Sequence, residues 1–325
     1  MFGFFRPRIA QGQREDGQAL ILFASGLVAF LGLVGMSVDI GQLAYTRADL
    51  QKAADAAALA GAQDLAGSAP STEHATSAAN SYVTKNGGPG TSATITFSKR
   101  NRANDVITVR ATRRVDYGFL SFVGLTGANP STTAAAYAGV AVSIRSLNGM
   151  AVLPWAINND AFTGFGVRTG LQPANAQGGL GTYNLVSINP PNGQSYADAI
   201  ANGVTAPIVA GSSYRTNIAD GTKFSTQTAS AINGRVSTRA SEAWNTFNGG
   251  SPRVVLIPVV SGGIPNAPNP VTITTFRAFF LEQADIRNSV IYGRFVEVNF
   301  SGGDIAPPGA TPILDLGVHV IRLIE

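Results

Sequence analysis

The chain has 325 residues, enough for one large domain or two medium ones beside a membrane segment. Hydrophobic residues make up 45% and charged residues 13%, so the composition supports a packed core and disfavours disorder. The absence of cysteine excludes disulfide scaffolds, cysteine metal sites and thiol catalysis, and a net charge of +4 does not indicate a nucleic-acid partner. The 37 glycines and 17 prolines predict many turns and favour a β-rich architecture.

The run Ala19–Val38 is uncharged and almost entirely apolar. A helix of this length is about 30 Å long, which matches the hydrocarbon core of a bilayer. We therefore predict a transmembrane helix over residues 19–38. A buried core helix and a cleaved signal peptide are the alternatives. A signal peptide has a shorter apolar region of about 7–15 residues ending at a small-x-small site, so an uncleaved anchor is favoured.

The basic residues that flank this run predict its orientation. Three arginines precede residue 19, whereas Arg47 and Lys52 follow the run. Basic residues are in excess on the cytoplasmic side of membrane helices. We therefore predict that residues 1–18 are cytoplasmic and that everything after Asp39 is exported.

The helix is predicted to continue past the membrane to about Ala66, because residues 39–66 contain no proline and are rich in helix formers. Residues 67–70 (GSAP) supply the stop signal. Apolar and small residues recur along one face at steps of three, four and seven. These residues are Leu43, Leu50, Ala54, Ala57 and Gly61. The stripe packs either on its own domain or against helices of other subunits in an assembly.

Three segments of this region carry a family resemblance. Gly17-Gln18-Ala19 precedes the apolar run, Ser37-Val38-Asp39-Ile40-Gly41 ends it, and an alanine-rich tract from Arg47 to Ala62 follows. This combination resembles the N-terminus of TadE/TadG-like proteins of the bacterial tight-adherence (Flp) pilus system, over about the first 65 residues. The resemblance implies a minor-pilin or assembly role rather than catalysis.

The resemblance also implies a processing position. Some members of the wider pilin group are cut by a prepilin peptidase after a glycine that precedes the apolar run, which corresponds here to Gly17, with Gln18 as the new N-terminus. Type IV-like pilins normally carry a glutamate five residues into the mature chain. This sequence has Leu22 there, so it departs from the pattern.

Asp39 and Gly41 lie at the far boundary of the predicted span and complete the candidate helix-packing and assembly residues. We interpret Asp39 as a solvated carboxylate at the membrane interface. The alternative is a buried partner for another subunit.

Residues 39–149 are predicted to form a pilin-like α+β domain. A second helix begins at Ser71 or Thr72, which can cap it, and ends near Gly87, which is expected to take the left-handed conformation. Alternating apolar and polar residues predict strands at 92–98, 105–112 and 132–144, with a short helix at 119–123.

Residues 150–325 are predicted to form a separate, mostly-β exported domain. Residues 158–222 are rich in glycine, asparagine, proline and serine and are expected to form long loops. A helix is predicted at 225–244, and strands at 253–260, 271–281, 290–299 and 314–323. The fold class is therefore α+β, with a long transmembrane helix, a pilin-like domain and a mostly-β C-terminal domain.

No residue pattern predicts a catalytic site, a cofactor site or a metal site. The segment Gly193–Ala197 superficially resembles a nucleophile elbow, but Ser195 is better explained as the cap of a short helix, since Asp198 follows three residues later. His74 and His319 lack motif partners in the sequence. An enzyme is therefore not expected.

A basic cluster extends from Lys99 through Arg102 and on to Arg110, Arg113 and Arg114. It is interpreted as a solvated strand edge that resists aggregation, the alternative being a patch for anionic wall polymers or extracellular DNA.

Taken together, these features predict a structural component of a Tad/Flp-type pilus or a related secretion system. It is placed in the cytoplasmic membrane as a single-pass protein, with its N-terminus inside and its later domains outside the cytoplasm. The expected partners are the lipid bilayer and other membrane proteins or pilins of the system, with no nucleic acid and no small-molecule substrate.

Two rival functions stay open. The first is a membrane-tethered adhesin or cell-wall-binding module, whose candidate binding aromatics are Trp155, Tyr183, Tyr214 and Trp244. The second is an exported hydrolase that uses Ser195.

Overall fold

The computed structural model describes residues 13–144, 146, 150–172, 185–216, 226–247, 250–262, 269–300, 303–307 and 315–324, with backbone only for 13–17 and 185–187. It confirms the α+β class. A long, apolar N-terminal helix leads into a mixed α+β region, and a mostly-strand region follows; the sheets are open.

The described helices and strands have the following bounds. The α-helices are α1 (Gln13–Gln63), α2 (Thr72–Asn86), α3 (Tyr196–Asn202) and α4 (Thr226–Thr238), with 3-10 turns at Leu120–Val123, Asn159–Ala161 and Pro191–Gly193. The strands are β1 (Ser92–Ser98), β2 (Val106–Thr112), β3 (Val115–Asp116), β4 (Gly127–Ala128), β5 (Ser131–Ile144), β6 (Ala151–Val152), β7 (Trp155–Asn158), β8 (Arg168–Leu171), β9 (Leu185–Ser187), β10 (Ile208–Val209), β11 (Ser213–Arg215), β12 (Val254–Val260), β13 (Pro270–Asp285), β14 (Val290–Val296), β15 (Val298–Phe300), β16 (Asp304–Ile305) and β17 (Val318–Ile324).

Helix α1 runs unbroken through both the apolar run and the alanine-rich tract, as predicted. Its 51 residues give a rod about 75 Å long. The helix ends at Gln63, three residues before the predicted end at Ala66, because the following residues close tighter turns and Gly67 takes a positive φ of 86°.

Helix α2 begins as predicted, since the Ser71 hydroxyl accepts a hydrogen bond from the His74 N–H at 3.2 Å. The helix also ends where predicted, at Asn86, but the expected left-handed conformation of Gly87 is wrong. Gly87 stays right-handed, with a φ of −85°, because its N–H still donates to the Val83 carbonyl at 2.7 Å. The chain reverses one residue later, at Gly88, which has a φ of 74°.

The first sheet has the strand order β1-β2-β5-β17-β15, and β10 and β16 also pair with β5. The predicted hairpin of β1 and β2 is confirmed, with Ser92 opposite Thr112. Strand β17 lies antiparallel to β5, with His319 opposite Val140. Strand β17, near the C-terminus, thus joins the sheet that β1, β2 and β5 begin.

The second sheet has the order β8-β14-β13-β12-β7-β9, with β11 on β13 and β6 on β12. Every residue of β12 is buried, which is typical of a strand covered on both faces. The predicted strands 253–260 and 271–281 are present here as β12 and β13, and 290–299 is divided between β14 in this sheet and β15 in the first sheet. The predicted strand 314–323 corresponds to β17, which lies in the first sheet. The predicted helix 225–244 is present as α4 but ends earlier, at Thr238. The expectation of long loops is wrong for the described parts of 158–222, which hold β8, β9, β10, β11 and α3.

The described core divides into three clusters that reveal a layered arrangement. Leu50 and Ala57 of α1 pack with Ile107 of β2, Ala79 of α2 and other buried residues on one side of the first sheet. A second cluster joins the two sheets face to face, and a third joins the second sheet to α3 and α4. The layers are therefore α1 and α2, the first sheet, the second sheet, and α3 with α4.

This layering bears on the predicted division at residues 149 and 150. Residue 149 lies outside the described residues, and the separate C-terminal domain stays a prediction. Strands β10, β15, β16 and β17 come from the C-terminal side of that division but belong to the first sheet. The two sheets also share a core, so the strands are not sorted between the sheets by their order in the chain.

Candidate functional site

The part of α1 after Asp39, residues 40–63, is called the upper half here, and most of it packs on its own domain. Leu50, Ala54 and Ala57 are fully buried, in a cluster with α2 and the first sheet. The stripe was predicted to pack either on its own domain or against other subunits, and these three residues pack on their own domain. Their small side chains let α1 approach its neighbours closely, and they leave no surface there for another subunit.

Gly61 shows how close this approach is. A Cβ atom at this position would lie 2.5 Å from Cδ1 of Ile107 and 2.9 Å from the carbonyl oxygen of Ala75. The second atom belongs to the backbone of α2, so it cannot rotate away. Gly61 is therefore required for the contact between α1 and α2.

The lower members of the stripe differ from the upper ones. Leu43 is half-buried, and Gly41 is exposed, with no atom of the described residues within 4 Å of a Cβ built on it. Gly41 therefore leaves a face of α1 free for a partner, which Leu50, Ala54 and Ala57 do not.

Asp39 is buried, with 1% of its surface exposed, so its interpretation as a solvated carboxylate is wrong. Its side chain accepts three backbone hydrogen bonds from one loop of the same chain. The donors are the N–H groups of Gly118 (3.0 Å), Phe119 (2.9 Å) and Leu120 (2.7 Å). A charged acceptor satisfies three donors at the start of the 3-10 turn, so Asp39 fixes this loop to α1.

The same loop contacts α1 one helical turn earlier. Gly35 is buried because the ring of Phe119 lies on it, and a Cβ atom on Gly35 would overlap that ring. Glycine is therefore required where the Phe119 ring crosses the helix. Sequence reasoning missed this contact, although the uncharged run YGFLSFVGLT at 117–126 was a visible signal.

The part of α1 before Asp39, called the lower half, presents large apolar side chains outward over residues 18–38. Leu20, Phe23, Val28 and Phe30 are each more than 60% exposed. Among the described residues, α1 is the one helix long and apolar enough to be a single membrane span. Side chains of this kind are otherwise buried in proteins that are surrounded by water.

The candidate processing residues Gly17 and Gln18 both lie within α1. Gln18 and Leu22 are exposed. Cleavage after Gly17 stays a prediction.

The basic cluster is largely occupied by contacts within the chain. Asp105 accepts hydrogen bonds from the backbone N–H groups of Arg100 (2.7 Å), Asn101 (2.8 Å) and Arg102 (2.7 Å), which closes the turn between β1 and β2. The Arg102 guanidinium pairs with Asp315 at 3.5 Å. These contacts favour a structural role for the cluster over a polymer-binding patch.

The rival sites are placed as follows. Ser195 caps α3 by accepting from the Asp198 N–H at 3.2 Å, which confirms the cap interpretation. Trp155 is buried, whereas Trp244 is 37% exposed. Tyr214 is half-buried, and its hydroxyl accepts from the Val209 N–H at 2.9 Å. Tyr183 lies outside the described residues.

The two histidines have different surroundings. His74 is exposed on α2. His319 is buried in β17, and its Nε2 lies 2.7 Å from Oδ1 of Asp315 and 3.3 Å from the Gly67 backbone nitrogen just after α1. Burial raises the pKa of Asp315, but the hydrogen bond and electrostatic attraction of His319 outweigh burial and hold this pKa below its ordinary value. The backbone N–H of Gly317, which donates to Asp315, and the Arg102 guanidinium act in the same direction.

Arg277 is a buried cation that sequence reasoning did not single out. Its guanidinium lies 3.6 Å from the centre of the Phe162 ring and donates to Asn159 Oδ1 at 3.0 Å. Burial lowers its pKa to about 10. It remains charged at neutral pH, and the aromatic ring provides part of its solvation.

The family model for putative Flp pilus-assembly TadE/G-like proteins matches residues 17–64, which span most of α1. The resemblance inferred from the sequence is thus confirmed for the N-terminal region. No curated protein and no solved structure gave a significant match to the chain. The match supports involvement in Flp pilus assembly.

Proposed function

We propose that the chain is a membrane-anchored, minor-pilin-like structural or assembly component of a Tad/Flp-type pilus, and not an enzyme. The observation that carries this proposal is the composition of α1. One helix contains the Tad-family segment, a lower half with exposed apolar side chains, and an upper half buried in the folded region. Such a helix suits a protein that is held in lipid and carries a folded body on one side of the membrane.

The orientation belongs to the same proposal. Residues before the span are cytoplasmic, and the folded region is exported, in keeping with the distribution of basic residues around the span. The test is a C-terminal tag in spheroplasts treated with external protease. The proposal requires loss of the tag from intact spheroplasts, and a tag that is digested only after lysis would overturn it.

The anchor has its own test. Leu31 is 56% exposed and lies in the apolar run, so Leu31→Arg places a charge in the lipid and is expected to reduce membrane integration by about 2.5–3.5 kcal/mol in apparent free energy. Tyr45→Arg, at an exposed position beyond the run, is the control. Membrane fractionation that finds both variants fully integrated would contradict the anchor.

The assembly role is best tested at Gly41. Ala57 is buried, so Ala57→Leu would act on stability before it acted on any partner. Gly41→Leu adds apolar bulk in open space on α1, and Ser77→Leu adds similar bulk at an exposed position on α2. We expect Gly41→Leu to weaken crosslinking to other pilus-system membrane proteins and to reduce piliation, while Ser77→Leu changes neither. Equal behaviour of the two variants would remove Gly41 from the assembly face.

A further inference from the structure

Residues 117–126, which we call the apolar tip, connect β3 to β4 and carry no charged side chain. The tip is closed by its own backbone, because the Tyr117 N–H donates to the Thr126 carbonyl at 3.1 Å and the Leu125 N–H to the Leu120 carbonyl at 3.1 Å. Gly124 takes a left-handed φ of 87° in the turn. The tip is therefore an ordered turn.

The apolar tip exposes large side chains that no described part of the fold covers. Phe122 is 89% exposed, Val123 is 73% exposed, and Phe119 and Leu125 are both more than half exposed. A contiguous set of this kind is typical of a surface that meets another apolar phase.

Three contacts show which way the tip points along α1. Arg113 pairs with Asp49 at 3.9 Å, the Gly118 N–H binds Asp39, and the Phe119 ring lies on Gly35. From Asp49 to Gly35 the helix axis descends by about 21 Å. The chain entering the tip therefore runs down α1 toward the apolar run and reaches it at Phe119.

On α1 and on the segment that enters the tip, the charged residues end at a similar height along the helix axis. On α1, Asp39 is the first charged residue after the apolar run, and Arg47 follows two turns later. At β3, Arg114 and Asp116 pair at 2.7 Å just before the tip, and the uncharged residues begin directly after Asp116. A membrane surface near Asp39 would leave Arg47, Arg114 and Asp116 in water and place the exposed tip residues in the interfacial layer, where aromatic side chains are favoured.

We propose that the apolar tip inserts into the lipid leaflet on the side of the folded region, as a second membrane contact beside the span. Asp39 holds the tip at a fixed depth on α1, so the two contacts together set the tilt of the folded region against the membrane. The occupant is lipid rather than another protein, because the tip is continuous with the apolar surface of α1 through the contact of Phe119 with Gly35. This inference rests on the proposed membrane anchoring.

The test uses the full-length protein in liposomes, and the absence of native cysteine makes single-site labelling unambiguous. Nitroxide labels are placed at Val123→Cys in the tip, at Leu31→Cys in the span and at Tyr82→Cys on α2. The measurement is the ratio of collisions with lipid-soluble oxygen to collisions with a water-soluble nickel chelate. We expect this ratio at 123 to be severalfold above the ratio at 82. Like the ratio at 31, it should show more collisions with oxygen than with the nickel chelate.

The outcomes separate this inference from the anchor. A lipid-like ratio at 31 with a water-like ratio at 123 overturns the tip and leaves the anchor standing. A water-like ratio at 31 overturns the anchor. Protection of 123 from both reagents indicates a protein partner and overturns lipid as the occupant. With the label at 123, Phe122→Asp is expected to lower the ratio toward the value at 82, and an unchanged ratio would contradict insertion.

Discussion

The two halves of α1 show opposite relations between side-chain size and burial. In the lower half, large residues such as Phe23 and Phe30 are exposed, whereas in the upper half Ala54 and Ala57 are fully buried. Hydrophobicity alone does not decide which residues a protein covers. The upper half has α2 and the first sheet as neighbours and needs small residues to approach them. Among the described residues, the lower half is contacted by the tip alone, and its large apolar side chains suit lipid.

The comparison is tested most directly by one substitution made in both halves. Leu50 is fully buried, so Leu50→Ala is expected to lower the free energy of unfolding by about 2–5 kcal/mol. Leu31→Ala removes the same atoms from an exposed position and is expected to change it by less than about 0.5 kcal/mol. Denaturant unfolding of the full chain in micelles, followed by tryptophan fluorescence, measures both. Equal losses would show that the two halves share one environment.

The next effect concerns the residue where the two halves meet. Asp39→Ala leaves three backbone N–H groups without their acceptor and is expected to cost about 3 kcal/mol and to loosen the tip. Asp116→Ala removes an exposed carboxylate next to the same tip and serves as the control. Chymotrypsin cleavage at Phe119 and Phe122 reports the loosening. If Asp39→Ala were as resistant as the control, Asp39 would not be what holds the tip.

A smaller substitution, glycine to alanine, at two positions of α1 compares a closely packed site with an open one. Gly61→Ala is expected to lower stability by about 1–3 kcal/mol, because the new Cβ meets Ile107 and the Ala75 carbonyl. Gly41→Ala meets nothing and is expected to raise helix stability by up to about 1 kcal/mol. Thermal unfolding of the two variants should shift in opposite directions, and a shift in the same direction would contradict the close approach at Gly61.

The smallest expected effect concerns the upper end of α1, where Asp315 and His319 meet Gly67. The folded-state pKa of Asp315 is lowered, so its contribution to stability is fully present above about pH 4, the pKa of an unfolded aspartate, and is lost as pH falls through the folded-state pKa. Asp315→Asn is expected to cost about 1 kcal/mol at pH 7 and progressively less as the pH falls below about 4. Asp304→Asn, at an exposed carboxylate, is the control. A loss that does not depend on pH would remove the ionic explanation.

Much of the local structure could be predicted from the sequence. The correctly predicted features depend on residues that are close together in the chain. They are the apolar run, the proline-free continuation of α1, the β1–β2 hairpin and the caps at Ser71 and Ser195. The left-handed residue after α2 was missed by one position, because Gly87 and Gly88 are both glycines and only the hydrogen bond from Gly87 to Val83 decides between them.

The sequence by itself determined that α1 is a single long helix with an apolar half, since helix periodicity and side-chain transfer energies are local properties. Tertiary structure decided what each face of α1 meets. Asp39 finds its partners 79 to 81 residues away, and β17 pairs with β5 across most of the chain. A pattern of alanines or a lone carboxylate indicates that these side chains need a packing or hydrogen-bonding partner. Only the folded chain brings a particular partner within contact distance.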